Sequence, residues 1–232
     1  MNWEERPVKA QARDWLFNIV TKTLETWPNG SRVLTYLGLP AGQAIFERRL
    51  AQHYKKVDLT LFEMDKEVLQ ELAITVANYL EDDADIEYQV YHEDIDKYIT
   101  RMRGPRQIVW LDYCGPITPD RLKSLRHCLS MRPENGIVAV TFMAGRERPD
   151  GNTLLDFFNE SYMGTDIDYD KELVPSYFLR RVRAVSELAK SVDSTIDIQV
   201  LPYKDHAPMM LFVFKDCQGV RPTIEIEPFL KE

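Results

Sequence analysis

Cysteine is scarce in this chain: Cys114, Cys128 and Cys217 are the only three in 232 residues, odd in number and far apart. No two have the spacing of a zinc knuckle and no even set suggests a disulfide framework. A reducing compartment with free thiols and no metal site is therefore expected. The four histidines include no His-x-x-x-His pair, which gives a metal no second foothold. No stretch approaches the roughly 18 consecutive apolar residues of a bilayer span, so no membrane partner is expected. Met1-Asn2-Trp3-Glu4-Glu5-Arg6 has no secretory signal, and a cytoplasmic location is the expectation. An excess of basic charge is also missing. The formal net charge of −8 opposes strong nonspecific binding of nucleic acid, which depends on phosphate neutralisation by Lys and Arg. The two local concentrations of base, Arg121/Lys123/Arg126 and Arg180/Arg181/Arg183, read as solvated helix faces.

What is present is an alternation of strand-like and helix-like stretches with no repeat or linker, hence one domain over 1–232. Residues 1–30 form a helical extension in which Trp15, Leu16, Ile19, Val20 and Leu24 recur at helical spacing, and Pro28-Asn29-Gly30-Ser31 ends it. The core, 31–216, begins with a strand at Val33–Leu37 that ends in Gly38-Leu39-Pro40-Ala41-Gly42. A helix follows to Tyr54, then a second strand, Val57–Glu63, with Asp65 placed to cap the next helix. Ile86–Tyr91 alternates as a third strand. Ile108–Leu111 is continuously apolar, as a parallel strand covered on both faces should be. Ile137–Phe142 is the fifth. Gly145–Gly151 reads as a loop or lid, and helices are expected over Thr153–Tyr162 and Glu172–Ser191. Ile196–Leu201 and Met209–Phe214 are joined by a short connection, which forces them antiparallel. The predicted architecture is α/β: a doubly wound, mostly parallel, seven-stranded sheet with a C-terminal antiparallel hairpin. The tail, 217–232, places Pro222 and Pro228 among alternating Ile and Glu and leaves an added edge strand open.

The first β-α-β unit carries the chemistry. A glycine turn after one strand allows close approach of a nucleotide-like ligand, and an acid after the next can accept from a ribose diol. Glu63 is that acid, since a carboxylate is acceptor-only. Asp112 and Tyr113 end the central strand, where ligands of open α/β sheets bind. Cys114 lacks a recognisable base, and His206 reads as an exposed loop histidine or, alternatively, a base at the rim.

Five β-α units closed by a hairpin resemble the class I S-adenosylmethionine-dependent methyltransferases, from about Ser31 to Asp216. On that resemblance Gly38 and Gly42 match the first and third glycines of the cofactor loop. Tyr36 stands where the family has an acid, and Pro40 where it has the middle glycine. Glu63 would hold the ribose hydroxyls, Met64 would pack on the adenine, and Asp94 would accept from its amino group; Asp94 also suits a helix N-cap. Asp112 and Tyr113 would face the methyl acceptor. The stretch Arg146–Tyr169, with acids at 166, 168 and 170, would cover a neutral or cationic acceptor. The implied cofactor is S-adenosylmethionine and the acceptor is unidentified. Two readings share the fold: a catalytically silent binding or scaffold protein, and an aminopropyl transferase-like enzyme. A dinucleotide oxidoreductase lacks its Gly-x-Gly-x-x-Gly turn here.

Overall fold

In the computed structural model the described residues are 6–25, 32–80, 85–113, 115–144, 176–204, 207–217, 219, 221–228 and 230. The lid, the helix expected at Thr153–Tyr162, the aromatic and acidic stretch to Asp170, Cys114 and His206 lie outside them.

The strands are β1 (Leu34–Gly38), β2 (Val57–Phe62), β3 (Ile86–Tyr91), β4 (Ile108–Asp112), β5 (Ile137–Met143), β6 (Ile196–Lys204), β7 (Pro208–Asp216) and β8 (Ile224–Ile226). They form one sheet in the order β3-β2-β1-β4-β5-β7-β6-β8. β1 to β5 run parallel, with Leu34 opposite Val57 and Tyr36 opposite Ile108. β7 enters antiparallel between β5 and β6, and the β6–β7 hairpin pairs from Ile196↔Asp216 to Lys204↔Pro208. Among the described residues the sheet has eight strands rather than seven. Ile224-Glu225-Ile226 pairs parallel with Ile198-Gln199-Val200 at the edge, and Pro222 and Pro228 flank it where a missing N–H costs no ladder bond.

The helices are α1 (Pro7–Thr23), α2 (Ile45–His53), α3 (Lys66–Leu80), α4 (Ile95–Ile99), α5 (Pro119–Ser130) and α6 (Ser176–Val192). They divide between the two faces of the sheet. α1, α2 and α3 cover Leu34, Tyr36, Leu59, Trp110, Ala139 and Leu211. α4, α5 and α6 cover Leu37, Val109, Leu111, Val140, Phe142 and Phe212. Adjacent strand residues thus serve opposite cores, which is why the central strands read as unbroken apolar runs. α1 starts with Pro7, whose missing N–H is no loss at a first helical position, and buries Val8, Ala12, Leu16 and Val20 along one stripe. α5 starts on Thr118, whose hydroxyl accepts from Arg121 N at 3.3 Å, with Pro119 next. α6 opens at Ser176, directly after Pro175. Among the described residues no helix is long and apolar enough to cross a membrane.

Candidate functional site

After β1 the chain turns to the face of α1–α3, and after β4 it turns to the face of α4–α6. β1 and β4 are neighbours, so their carboxyl ends part and leave a crevice at the topological switch point. Leu39 N donates to Trp110 O at 3.2 Å and holds the turn after β1 against β4.

At the end of β2, Glu63 is half-buried and turns back on its own loop. Its Oε1 accepts from Met64 N at 2.7 Å and Asp65 N at 2.8 Å. Oε2 takes no hydrogen bond from the described residues. Met64 is 59% exposed. Its carbonyl oxygen lies 2.9 Å from His92 Nε2, tying the end of β2 to that of β3. Asp65 caps α3 through Glu67 N at 2.8 Å, and Asp94 caps α4 through Asp96 N at 3.0 Å. Asp94 therefore has a demonstrated capping job; nothing in the geometry joins it to Glu63.

Protein side chains lie close to both glycines of the turn. A Cβ on Gly38 would lie 2.2 Å from Tyr36 Oη and 2.6 Å from its Cζ, because Tyr36 folds over its own strand end. Tyr36 is fully buried and donates to Glu47 Oε1 at 2.5 Å; Glu47, on α2, is only 2% exposed. Burial pushes the Tyr36 phenol well above its ordinary pKa, and Glu47's charge and hydrogen bond, then Asp112's charge, push the same way. A Cβ on Gly42 would meet Glu71 Oε2 at 2.4 Å, on α3. Pro40 lines a crevice of about 20 Å³ with Lys9, Arg13, Glu47, Trp110 and Asp112. That is room for about one water.

The two residues ending β4 face opposite ways. Asp112 points to α1, where Lys9 Nζ lies 3.5 Å from Oδ2, with both side chains largely buried. Tyr113, 5% exposed, points to α4 and donates to Asp96 Oδ1. Its ring stacks on Phe142 with centroids 5.8 Å apart, and the Arg121 guanidinium carbon sits over the ring 4.6 Å from its centroid. Burial foremost, then Asp96, pushes its phenol above the ordinary range. Asp112 and Tyr113 are thus adjacent in sequence but belong to separate cores. Arg121 also donates to Pro116 O at 2.7 Å, and a Cβ on Gly115 would lie 2.6 Å from its Nη1.

Lys9, Arg13 and Glu47 were not candidates from the sequence, and they are the charges nearest the crevice. Lys9 meets Asp112 across a hundred residues, which no local pattern records. The basic clusters also divide: Lys123 and Arg126 are solvated as expected, whereas Arg121 is fixed on Tyr113 and Arg181 is 6% exposed. Among the described residues no group of three or more His, Cys, Asp or Glu could hold a metal.

No family model matches the chain, and no curated protein matches it in sequence. Solved structures do match. An rRNA methylase from Streptococcus thermophilus is 14% identical, with 87% of this chain and 97% of that one covered at a TM-score of 0.51. Magnesium protoporphyrin IX methyltransferase from Synechocystis PCC 6803, with bound S-adenosylhomocysteine, is 10% identical over 93% of this chain and 88% of its own, at 0.53. This chain has a methyltransferase fold. The N-methyltransferase NodS from Bradyrhizobium japonicum WM9, 11% identical over 93% and 99% of the two chains at a TM-score of 0.50, shares it. Within the methyltransferase fold the chain places Tyr36 and its partner Glu47 beside the first glycine and closes the crevice with Lys9 and Asp112.

Proposed function

We propose that this chain binds S-adenosylmethionine at the carboxyl ends of β1 and β2 and transfers its methyl group to an acceptor. The observation that carries the reading is Glu63: an acid ending β2, held in place by two loop amides through one oxygen while the other takes no bond from the described residues, beside the exposed Met64. A carboxylate so held is preorganised to accept from a vicinal diol, and Met64 offers an apolar face to a purine. Structures of the same fold with S-adenosylmethionine and S-adenosylhomocysteine bound support the choice of cofactor.

The bound cofactor would supply an electrophilic methyl group already activated by its sulfonium. What the protein adds is alignment and exclusion of water. Glu63 and Met64 hold the nucleoside. Gly38, Pro40 and Gly42 give the turn its path. Asp94 stands ready at the end of β3 as a helix cap whose second oxygen is left for an amino group. Asp112 faces the crevice as acceptor of a proton or hydrogen bond from the methyl acceptor. Tyr113 acts through its fixed ring, because its hydroxyl is given to Asp96. The amino-acid half of the cofactor needs more room than the crevice holds, so the Lys9–Asp112 pair has to part on binding.

One observation favours a second reading, the catalytically silent binding protein: Tyr36 and Glu47 fill the space behind the first glycine and neutralise each other's hydrogen-bonding capacity. Calorimetric titration with S-adenosylmethionine and S-adenosylhomocysteine separates the two. Micromolar binding that weakens about tenfold or more in Glu63→Ala, a loss of about 1.4 kcal/mol, supports the enzyme. Absence of heat with both ligands rejects it.

A further inference from the structure

α1 links two distinct cavities. Its first turns meet the crevice at the carboxyl ends of β1 and β4 through Lys9 and Arg13, while its last turns lie at the opposite end of the sheet. There they roof a groove of about 690 Å³ whose floor is the start of β6, the end of β7 and the edge strand β8. The volume is in the range of small-molecule sites. α1 is the helix that covers this half of its face, and the sheet under its C-terminal half changes from apolar to polar. Leu201, Tyr203 and Leu211 give way on the same side to Gln199, Asp197 and Lys215.

The groove wall is ordered by its own hydrogen bonds. Gln199 Nε2 donates to Glu225 Oε2 at 2.8 Å, and Trp15 Nε1 donates to Glu227 Oε1 at 3.4 Å. Asp197 Oδ1 accepts from Thr223 N at 2.8 Å, and its Oδ2 lies 3.8 Å from Lys215 Nζ. These bonds orient the Gln199 amide, whose Oε1 is buried and has no partner among the described residues. Of the lining charges, four are acids (Glu25, Asp197, Glu225, Glu227) and two are lysines (Lys22, Lys215), which leaves an excess of two negative charges. Trp15 and Ile19 supply an apolar wall, and an indole face attracts ammonium groups.

We infer that this groove binds a small aliphatic polyamine. Two or more ammonium groups match the excess charge, their N–H donors suit the lining carboxylates, and the methylenes lie along Trp15 and Ile19. The site lies at the amino ends of the parallel strands, away from Glu63, and the inference stands independently of the proposed transfer reaction.

The test is calorimetric titration of the full chain with spermidine at low ionic strength. Saturable binding at one site is expected, weakened about tenfold or more by Glu225→Gln with Glu227→Gln and by the separate variant Glu25→Gln. The control Glu67→Gln with Glu87→Gln, exposed acids elsewhere, and Glu63→Ala should both bind as the parent does. No saturable heat, or equal weakening by the control, which would mean diffuse attraction to an acidic protein, overturns the inference. Binding of a lysine tetrapeptide without binding of spermidine also overturns it, in favour of a basic polypeptide.

Discussion

Gly38 is explained by a side chain two residues before it. Tyr36 occupies the volume a Cβ would need, and it cannot swing away because Glu47 holds its hydroxyl in a site closed to water. Gly38→Ala should therefore lower stability by about 1–3 kcal/mol, the usual cost of overpacking, read from urea denaturation. A residue that is glycine only for a ligand's sake would lose binding and keep its stability. The buried tyrosines make a second statement at this scale. Tyr36 and Tyr113 are pushed up, and Tyr54 is pushed up by burial to about 12. Well below pH 10 all three are neutral in both folded and unfolded chains. Above it the unfolded chain loses protons that the folded chain keeps, so stability falls as pH rises. The urea midpoint should drop progressively from pH 9.5 to 11 — a range tied to the ordinary tyrosine value of about 10 — and Tyr36→Phe should shed part of that slope.

Among the elements, the ends carry the informative groups. Arg132, after α5, has a side chain 4% exposed and bonds Asp193, just past α6, at 3.1 Å and Asp216, ending β7, at 2.6 Å. One guanidinium thus ties three elements at the amino edge of β5. Arg132→Ala should cost about 2 kcal/mol, the scale of hydrogen bonds to charged groups, checked by chemical denaturation. Hydrogen bonding from Thr195 foremost, aided by Arg132, holds the Asp193 carboxyl below its usual value. The associated stability is present above the ordinary aspartate range and is lost as pH falls through the lowered value. Asp94 lends itself to a discriminating pair of variants. Asn caps helices as well as Asp does, so Asp94→Asn should keep the thermal midpoint while Asp94→Ala loses about 1 kcal/mol. Weaker cofactor binding in Asp94→Asn, at unchanged stability, would give the carboxylate a role beyond α4.

For the whole molecule the arrangement of α1 matters most. It is buried along Val8, Leu16 and Val20, closes the crevice with Lys9 at one end and roofs the polar groove with Trp15 at the other. Lys9→Met removes the charge that pins Asp112 while keeping an apolar stem. S-adenosylmethionine should then bind faster, with the association rate rising and the fold unchanged by circular dichroism. Unchanged kinetics would show that the Lys9–Asp112 contact does not gate entry.

The alternation of elements, the parallel centre, the antiparallel end and the capping of α3 follow from local periodicity and turn chemistry within a few residues. Glu63, Asp65 and Asp94 were legible for the same reason: each closes a strand or opens a helix. The eighth strand was only half legible, since Ile224-Glu225-Ile226 is too short for its alternation to decide pairing without β6 beside it. Tertiary structure alone decided the side-chain directions at β4, where consecutive residues enter different cores and send Asp112 to Lys9 and Tyr113 to Asp96. It also decided that Tyr36 and Glu47 would meet, and that α1 would leave a groove under its far end. These are contacts between residues distant in the chain, and their energies depend on packing and burial that no window of sequence contains.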